Sequence, residues 1–234
     1  MGQIVEFPSN GAQARGYLAL PASGEGPGVV VIQEWWGLVP HIEDLCERLA
    51  AEGFVALAPD LYHGETTTEP DEAGKLLMSL NLERAAKDMS GAVDHLLAHS
   101  TGTGLGVIGF CMGGALALQL AAQRPDAVKA VVPFYGLIAW PATQPDWANM
   151  AAAVQGHYAE NDGMAGPAAV AKLEKELGEH GVPAELFLYP GTEHAFFNDQ
   201  RPEVHDPAAS ARAWERTVAF LRSTLGEAGG ISHP

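Results

Sequence analysis

The stretch from Leu105 to Leu120 restricts the possible folds more than any other. An apolar run, Leu105-Gly106-Val107-Ile108, leads into Gly109-Phe110-Cys111-Met112-Gly113-Gly114 and then into the helix-forming Ala115-Leu116-Ala117-Leu118-Gln119-Leu120. This reads as a strand, a one-residue corner and a helix, with a cysteine on the corner and a glycine two positions to either side. So sharp a corner needs neighbours without a Cβ, because a side chain there would strike the adjoining strand or helix. The small-X-nucleophile-X-small pattern holds a reactive side chain above a sheet. Cys111 would also sit at a helix N-terminus, where unpaired N–H groups and the macrodipole favour negative charge.

Apolar runs alternate with helical periodicity along the rest of the chain. Strands are expected at Gly16–Leu20, Gly28–Ile32, Phe54–Ala58, Ala130–Phe134, Met150–Gln155 and Ala184–Tyr189. Helical stripes are expected at Ile42, Leu45, Cys46 and Leu49, at Leu76, Leu77 and Leu80, and at Met89, Val93 and Leu96. They recur at Val170, Leu173 and Leu177, and at Trp214, Val218, Leu221 and Leu225. The polar stretch Tyr62 to Asp71 reads as an exposed loop. Continuous apolar strands between helices indicate an α/β fold whose mostly parallel central sheet has helices on both faces. With 234 residues and no linker or repeat, the expectation is a single domain over 1–234.

With 13 basic against 29 acidic residues, the formal charge is −16, which gives no footprint for a phosphate backbone or an anionic membrane. No nucleic-acid or membrane partner is therefore expected. No apolar stretch reaches a membrane span and no signal peptide is visible at the N-terminus, so a soluble cytoplasmic protein is expected. Cys46 and Cys111 are too few for a disulfide framework or a zinc site. His41, His63, His157 and His205 lack the close paired spacing of zinc ligands, and neither a metal nor a cofactor is expected. His95, His99, His180 and His233 read as surface or helix-face residues. Gly104-Leu105-Gly106-Val107-Ile108-Gly109 satisfies GxGxxG, but its first glycines precede the strand instead of following it, which argues against a dinucleotide site.

In an open parallel sheet, functional groups gather at the carboxyl ends of the strands. Those ends deliver Gln33-Glu34-Trp35-Trp36-Gly37, Pro59-Asp60, Cys111, Tyr135-Gly136, His157 to Asp162, and Pro190 to His194. A cysteine nucleophile needs a base to manage its proton, and the base needs an orienting acid. Cys111, Asp162 and His194 follow the nucleophile–acid–base order of α/β-hydrolases. Glu160, and more weakly Asp60, compete with Asp162, which could alternatively cap the next helix. Glu34, beside the corner, would lie near the thiol and would need a partner for its charge. Trp35, Trp36, Phe110, Tyr135 and Phe196 are candidates for an apolar wall against substrate.

The Gly109–Gly114 corner, Gln33–Gly37, Ala58-Pro59-Asp60-Leu61-Tyr62 and Gly191-Thr192-Glu193-His194-Ala195-Phe196 together resemble the dienelactone hydrolase family, from about Gly16 to Leu225. The resemblance implies an α/β-hydrolase fold and hydrolysis of a small-molecule ester or lactone through an acyl-cysteine. It also implies an oxyanion hole formed by the N–H groups of Met112 and Trp35, and a Glu34 that holds or removes the thiol proton when substrate arrives. Family members that open chlorinated dienelactones clamp the substrate carboxylate with arginines, one of them four residues beyond the catalytic histidine. Asn198 stands at that position here, as a candidate substrate-binding residue, and Arg201 is the nearest guanidinium in sequence. Dienelactone is therefore not the favoured substrate over a neutral ester or another lactone. Acyl transfer on the same triad is the enzymatic alternative, and a non-catalytic hydrolase-fold binding protein is the other. The expected assembly is a monomer or homodimer.

Overall fold

The apolar runs at Val29–Ile32 and Leu105–Phe110 lie side by side, with Val30 opposite Val107 and Ile32 opposite Gly109. Around this pair a computed structural model, describing residues 2–137 and 144–226, assembles an α/β fold. The strands are β1 (Gln3–Ser9), β2 (Ala12–Ala19), β3 (Pro27–Ile32), β4 (Val55–Pro59), β5 (Thr101–Phe110), β6 (Val128–Phe134), β7 (Ala153–Ala159) and β8 (Ala184–Tyr189). The helices are α1 (Pro40–Ala51), α2 (Pro70–Ser79), α3 (Leu82–His99), α4 (Met112–Gln123), α5 (Pro167–Glu179) and α6 (Pro207–Leu225). All eight strands join one sheet in the order β1-β2-β4-β3-β5-β6-β7-β8. β3 to β8 run parallel, and β1 and β2 pair antiparallel at one edge.

Both faces are covered. Leu45, Cys46 and Leu49 of α1 pack with Ala213, Val218 and Leu221 of α6 against one face. On the other face lie Met89, Val93 and Leu96 of α3, Leu116 and Leu120 of α4, and Leu173 and Leu177 of α5. Cys46 is a core residue, fully buried, and burial pushes its thiol well up. None of the described helices is long and apolar enough to cross a membrane.

Three expectations need correction. β1 is an added strand, joined to β2 by a tight turn in which Asn10 and Gly11 take φ of 42° and 91°; an Asn-Gly pair supplies that turn at low steric cost. The strand expected at Met150–Gln155 instead runs Ala153–Ala159, so His157 lies within a strand and not beyond it. On α2 only Ala73 is buried, while Met78 is 80% exposed, so Leu76 and Leu77 are not core residues. The GxGxxG segment lies wholly inside β5, where its glycines cannot open a helix. His233 lies outside the described residues.

Candidate active site

Cys111 is the single residue between β5 and α4, with φ 54° and ψ −120°. For a residue with a Cβ that conformation costs about 1–3 kcal/mol and persists only where its surroundings enforce it. Here close packing does so: a Cβ on Gly109 would lie 1.9 Å from Gly113 O, and one on Gly113 would lie 2.5 Å from the carbonyl oxygens of Ile32 and Gln33. Glycines at 109 and 113 thus let α4 start directly above the ends of β3 and β5. The Cys111 N–H donates to Phe134 O at 3.0 Å, tying the corner to β6. Cys111 remains partly exposed while Phe110 and Met112 are buried. The Met112 N–H, in the first turn of α4, has no intrahelical acceptor and points from the helix start.

The turn after β7 carries Asp162. Its Oδ1 accepts from the N–H groups of Met164 (2.8 Å) and Ala165 (3.1 Å), and its Oδ2 accepts from His194 Nδ1 at 2.6 Å. One carboxylate therefore both anchors the turn and orients the imidazole. Burial works against its charge, but the bonds from His194, Ala165 and Met164 win and hold the carboxyl below its ordinary value. The competing acids are engaged elsewhere: Glu160 accepts from the Gly191 N–H at 2.8 Å, and Asp60 pairs with Arg15 at 2.8 Å. His194 follows β8. Burial pulls its imidazole down, but the bond to the Asp162 carboxylate and the neighbouring Cys111 sulfur overcome this and push it up to about 10. Cys111, Asp162 and His194 thus meet at the carboxyl edge of the sheet. Backbone strain gathers there as well, with Tyr135 at φ 38° and Ala195 at φ 67°.

Glu34 is 1% exposed, and each of its oxygens accepts from a neutral donor: Oε1 from the Tyr135 hydroxyl at 3.3 Å, Oε2 from Asn198 Nδ2 at 2.9 Å. Among the described residues no lysine or arginine forms an ion pair with it. The aromatic wall needs revision. Phe110 and Phe196 are fully buried, Phe196 against the rings of Tyr135 and Tyr189, so they back the site and do not face substrate. Tyr135 turns its hydroxyl to Glu34 and sets its ring edgewise to His194, 5.1 Å between centroids. Asn198, expected to face substrate, spends its amide on Glu34 instead, though it also borders an open cleft of about 700 Å³. Trp36, Thr66, Thr67, Thr68, Arg201 and Glu203 line that cleft too. A smaller, apolar cleft of about 120 Å³ lies one turn along α4, between Ala115, Leu118, Leu137, Trp147, Met164 and Leu173.

Sequence reasoning did not find the threonine run in the cleft, the Arg201 guanidinium 5.6 Å above the Trp36 ring, or the Tyr62 hydroxyl donating to Met112 Sδ at 3.6 Å. The polar loop Tyr62 to Asp71 was the available signal for the first. Three of the histidines that lack paired zinc spacing have separate surroundings: His63 faces Asp88, His41 faces Asp199, and His157 is bonded to Tyr189 and Thr217.

A mostly parallel sheet with a strained cysteine corner after β5, an aspartate after β7 and a histidine after β8 defines the class: this is an α/β-hydrolase. Residues 14–225 match the model of the dienelactone hydrolase family, and the chain belongs to that family. It is 40% identical to "Protein usf" of Aquifex pyrophilus, over 96% of this chain and all (100%) of the relative. A candidate carboxymethylenebutenolidase of Aquifex aeolicus (strain VF5) is 37% identical with the same coverage, 96% and 100%. The crystal structure of a candidate dienelactone hydrolase from Klebsiella pneumoniae superposes with a TM-score of 0.85 at 28% identity, covering 94% of this chain and 98% of that one.

Proposed function

We propose that this dienelactone hydrolase-like protein cleaves a lactone or carboxylic ester through an acyl-cysteine intermediate on Cys111. The Cys111 sulfur attacks the carbonyl carbon, and its proton passes to the imidazole of His194. The N–H groups of Met112 and Trp35 stabilise the oxyanion, each such donor lowering the barrier by about 3 kcal/mol. Collapse expels the alkoxide, which takes the proton from His194. A water molecule, deprotonated by His194, then attacks the thioester carbonyl and releases the acid. Asp162 keeps the imidazole in orientation and offsets its charge. Glu34, held by Asn198 and Tyr135, holds or takes the thiol proton as substrate enters and hands it on to His194.

The observation that carries this reading is the 2.6 Å bond from His194 Nδ1 to Asp162 Oδ2, with the Cys111 sulfur, on its strained corner, near enough to act on the same imidazole. Steady-state hydrolysis of p-nitrophenyl acetate tests it. Cys111→Ala and His194→Ala should each lower kcat/KM by about 10³-fold or more. Retention of wild-type turnover by either variant would refute the assignment.

A further inference from the structure

Charge around Cys111 is one-sided. Glu34 and Asp162 are both buried carboxylates, at 1% and 8% exposure. Counting Cys111, His194, Asp162 and Glu34 together gives two net negative charges, whichever of Cys111 and His194 holds their shared proton. The cations nearby are already matched. Arg201, in the larger cleft, pairs with Glu203 at 2.9 Å, and Lys172, at the rim of the apolar cleft, pairs with Glu176 at 3.6 Å. Among the described residues these are the only lysine or arginine lining either cleft. Residues 138–143 and 227–234 contain no lysine or arginine at all. Asn198, the polar group nearest Glu34 in the larger cleft, is uncharged and has its amide engaged.

Building on the proposed role of Cys111, we infer that this site selects uncharged lactones and esters and discriminates against substrates that carry a carboxylate near the scissile bond. The buried pair of Glu34 and Asp162 repels such a group, and among the described residues neither cleft holds a lysine or arginine without an acidic partner. At roughly 8 Å and an effective dielectric near 20, one like charge disfavours an anion by about 30-fold. Because these carboxylates are out of water, salt screens them little.

Alkylation of Cys111 reads this field without requiring turnover. Iodoacetamide and iodoacetate differ in charge and little in size, and each forms a carbon–sulfur bond with loss of iodide. At one pH both meet the same state of the thiol. Rates are followed by intact mass, with Cys111→Ala correcting for the buried Cys46 and 2-mercaptoethanol as the reference thiol. Cys111 should prefer iodoacetamide about 30-fold more strongly than the free thiol does; a preference equal to or below that of the free thiol would overturn the inference. Glu34→Gln, which removes one charge at constant shape, should reduce the preference at least about threefold, and an undiminished preference would remove Glu34 as its source. Hydrolysis of 4-acetoxybenzamide and 4-acetoxybenzoate, each normalised to its own rate in hydroxide, should favour the amide-bearing ester in kcat/KM. Equal or faster hydrolysis of the carboxylate would contradict the selectivity. If neither ester turns over, p-nitrophenyl acetate still decides the hydrolase reading and the alkylation ratio still decides the field.

Discussion

Buried carboxylates usually keep a cation, yet Glu34 relies on a phenol and an amide, Tyr135 and Asn198. A donor removed from such a group leaves a desolvated oxygen unpaired, at a cost of about 1–3 kcal/mol. Asn198→Leu should therefore lower the urea unfolding free energy by about that amount, whereas the same change at exposed Gln200 should stay within about 0.5 kcal/mol. Glu34→Gln keeps the shape but cannot take a proton, so it should lower kcat/KM and alter its pH dependence; no change in either would contradict the activating role. Asp162→Asn should cost about 10³–10⁴-fold in kcat/KM, because the amide no longer holds the imidazole as the carboxylate does. The strand-end placement of Cys111, Asp162 and His194 was readable because each follows an apolar run. The bond from Asn198 to Glu34 was not, since it spans 164 residues of sequence and depends on how two loops fold over the sheet.

At the scale of elements, the corner between β5 and α4 sets the site, and Gly113 sets the corner. In Gly113→Ala the new Cβ would meet two backbone carbonyls at 2.5 Å, neither of which can swing aside as a side chain could. α4 would have to move off β3, so the variant should lose several kcal/mol of stability, on the order of 3, together with its esterase activity. A variant with wild-type denaturation and turnover would show that the contact is softer than the geometry implies. β3, β4, β5 and β6 were legible because buried parallel strands are continuous apolar runs; β8, at the sheet edge with only Tyr189 buried, was legible from its Leu186–Tyr189 run. β7 was misplaced by several residues: Met150-Ala151-Ala152 extends the apolar pattern beyond the strand, and His157 reads as polar although its ring is fully buried. β1 lacks such a run, being an edge strand exposed on alternate residues, and its clearest sign was the Asn10-Gly11 turn.

Over the whole molecule, two histidines tie stability to pH from opposite sides. His157, buried between β6 and β8 with Tyr189 and Thr217 on its nitrogens, has its imidazole pushed down to about 3, chiefly by burial. Between pH ~6.5 and ~3 the unfolded chain binds a proton that the native one refuses, so stability falls on acidification, by up to about 5 kcal/mol. His194 acts in the reverse sense. Raised to about 10, it stabilises the fold fully below pH ~6.5, and that contribution fades as pH climbs toward 10. Urea unfolding across pH should therefore show a maximum near neutrality, and His157→Phe should flatten the acid limb while leaving the alkaline limb in place. The most direct test of the whole account is intact mass spectrometry of the protein quenched in acid during turnover of p-nitrophenyl acetate. An adduct one acetyl group heavier, present in wild type, accumulating in His194→Ala and absent from Cys111→Ala, is the predicted result. An adduct that survives Cys111→Ala would contradict it, as would turnover that needs neither Cys111 nor His194.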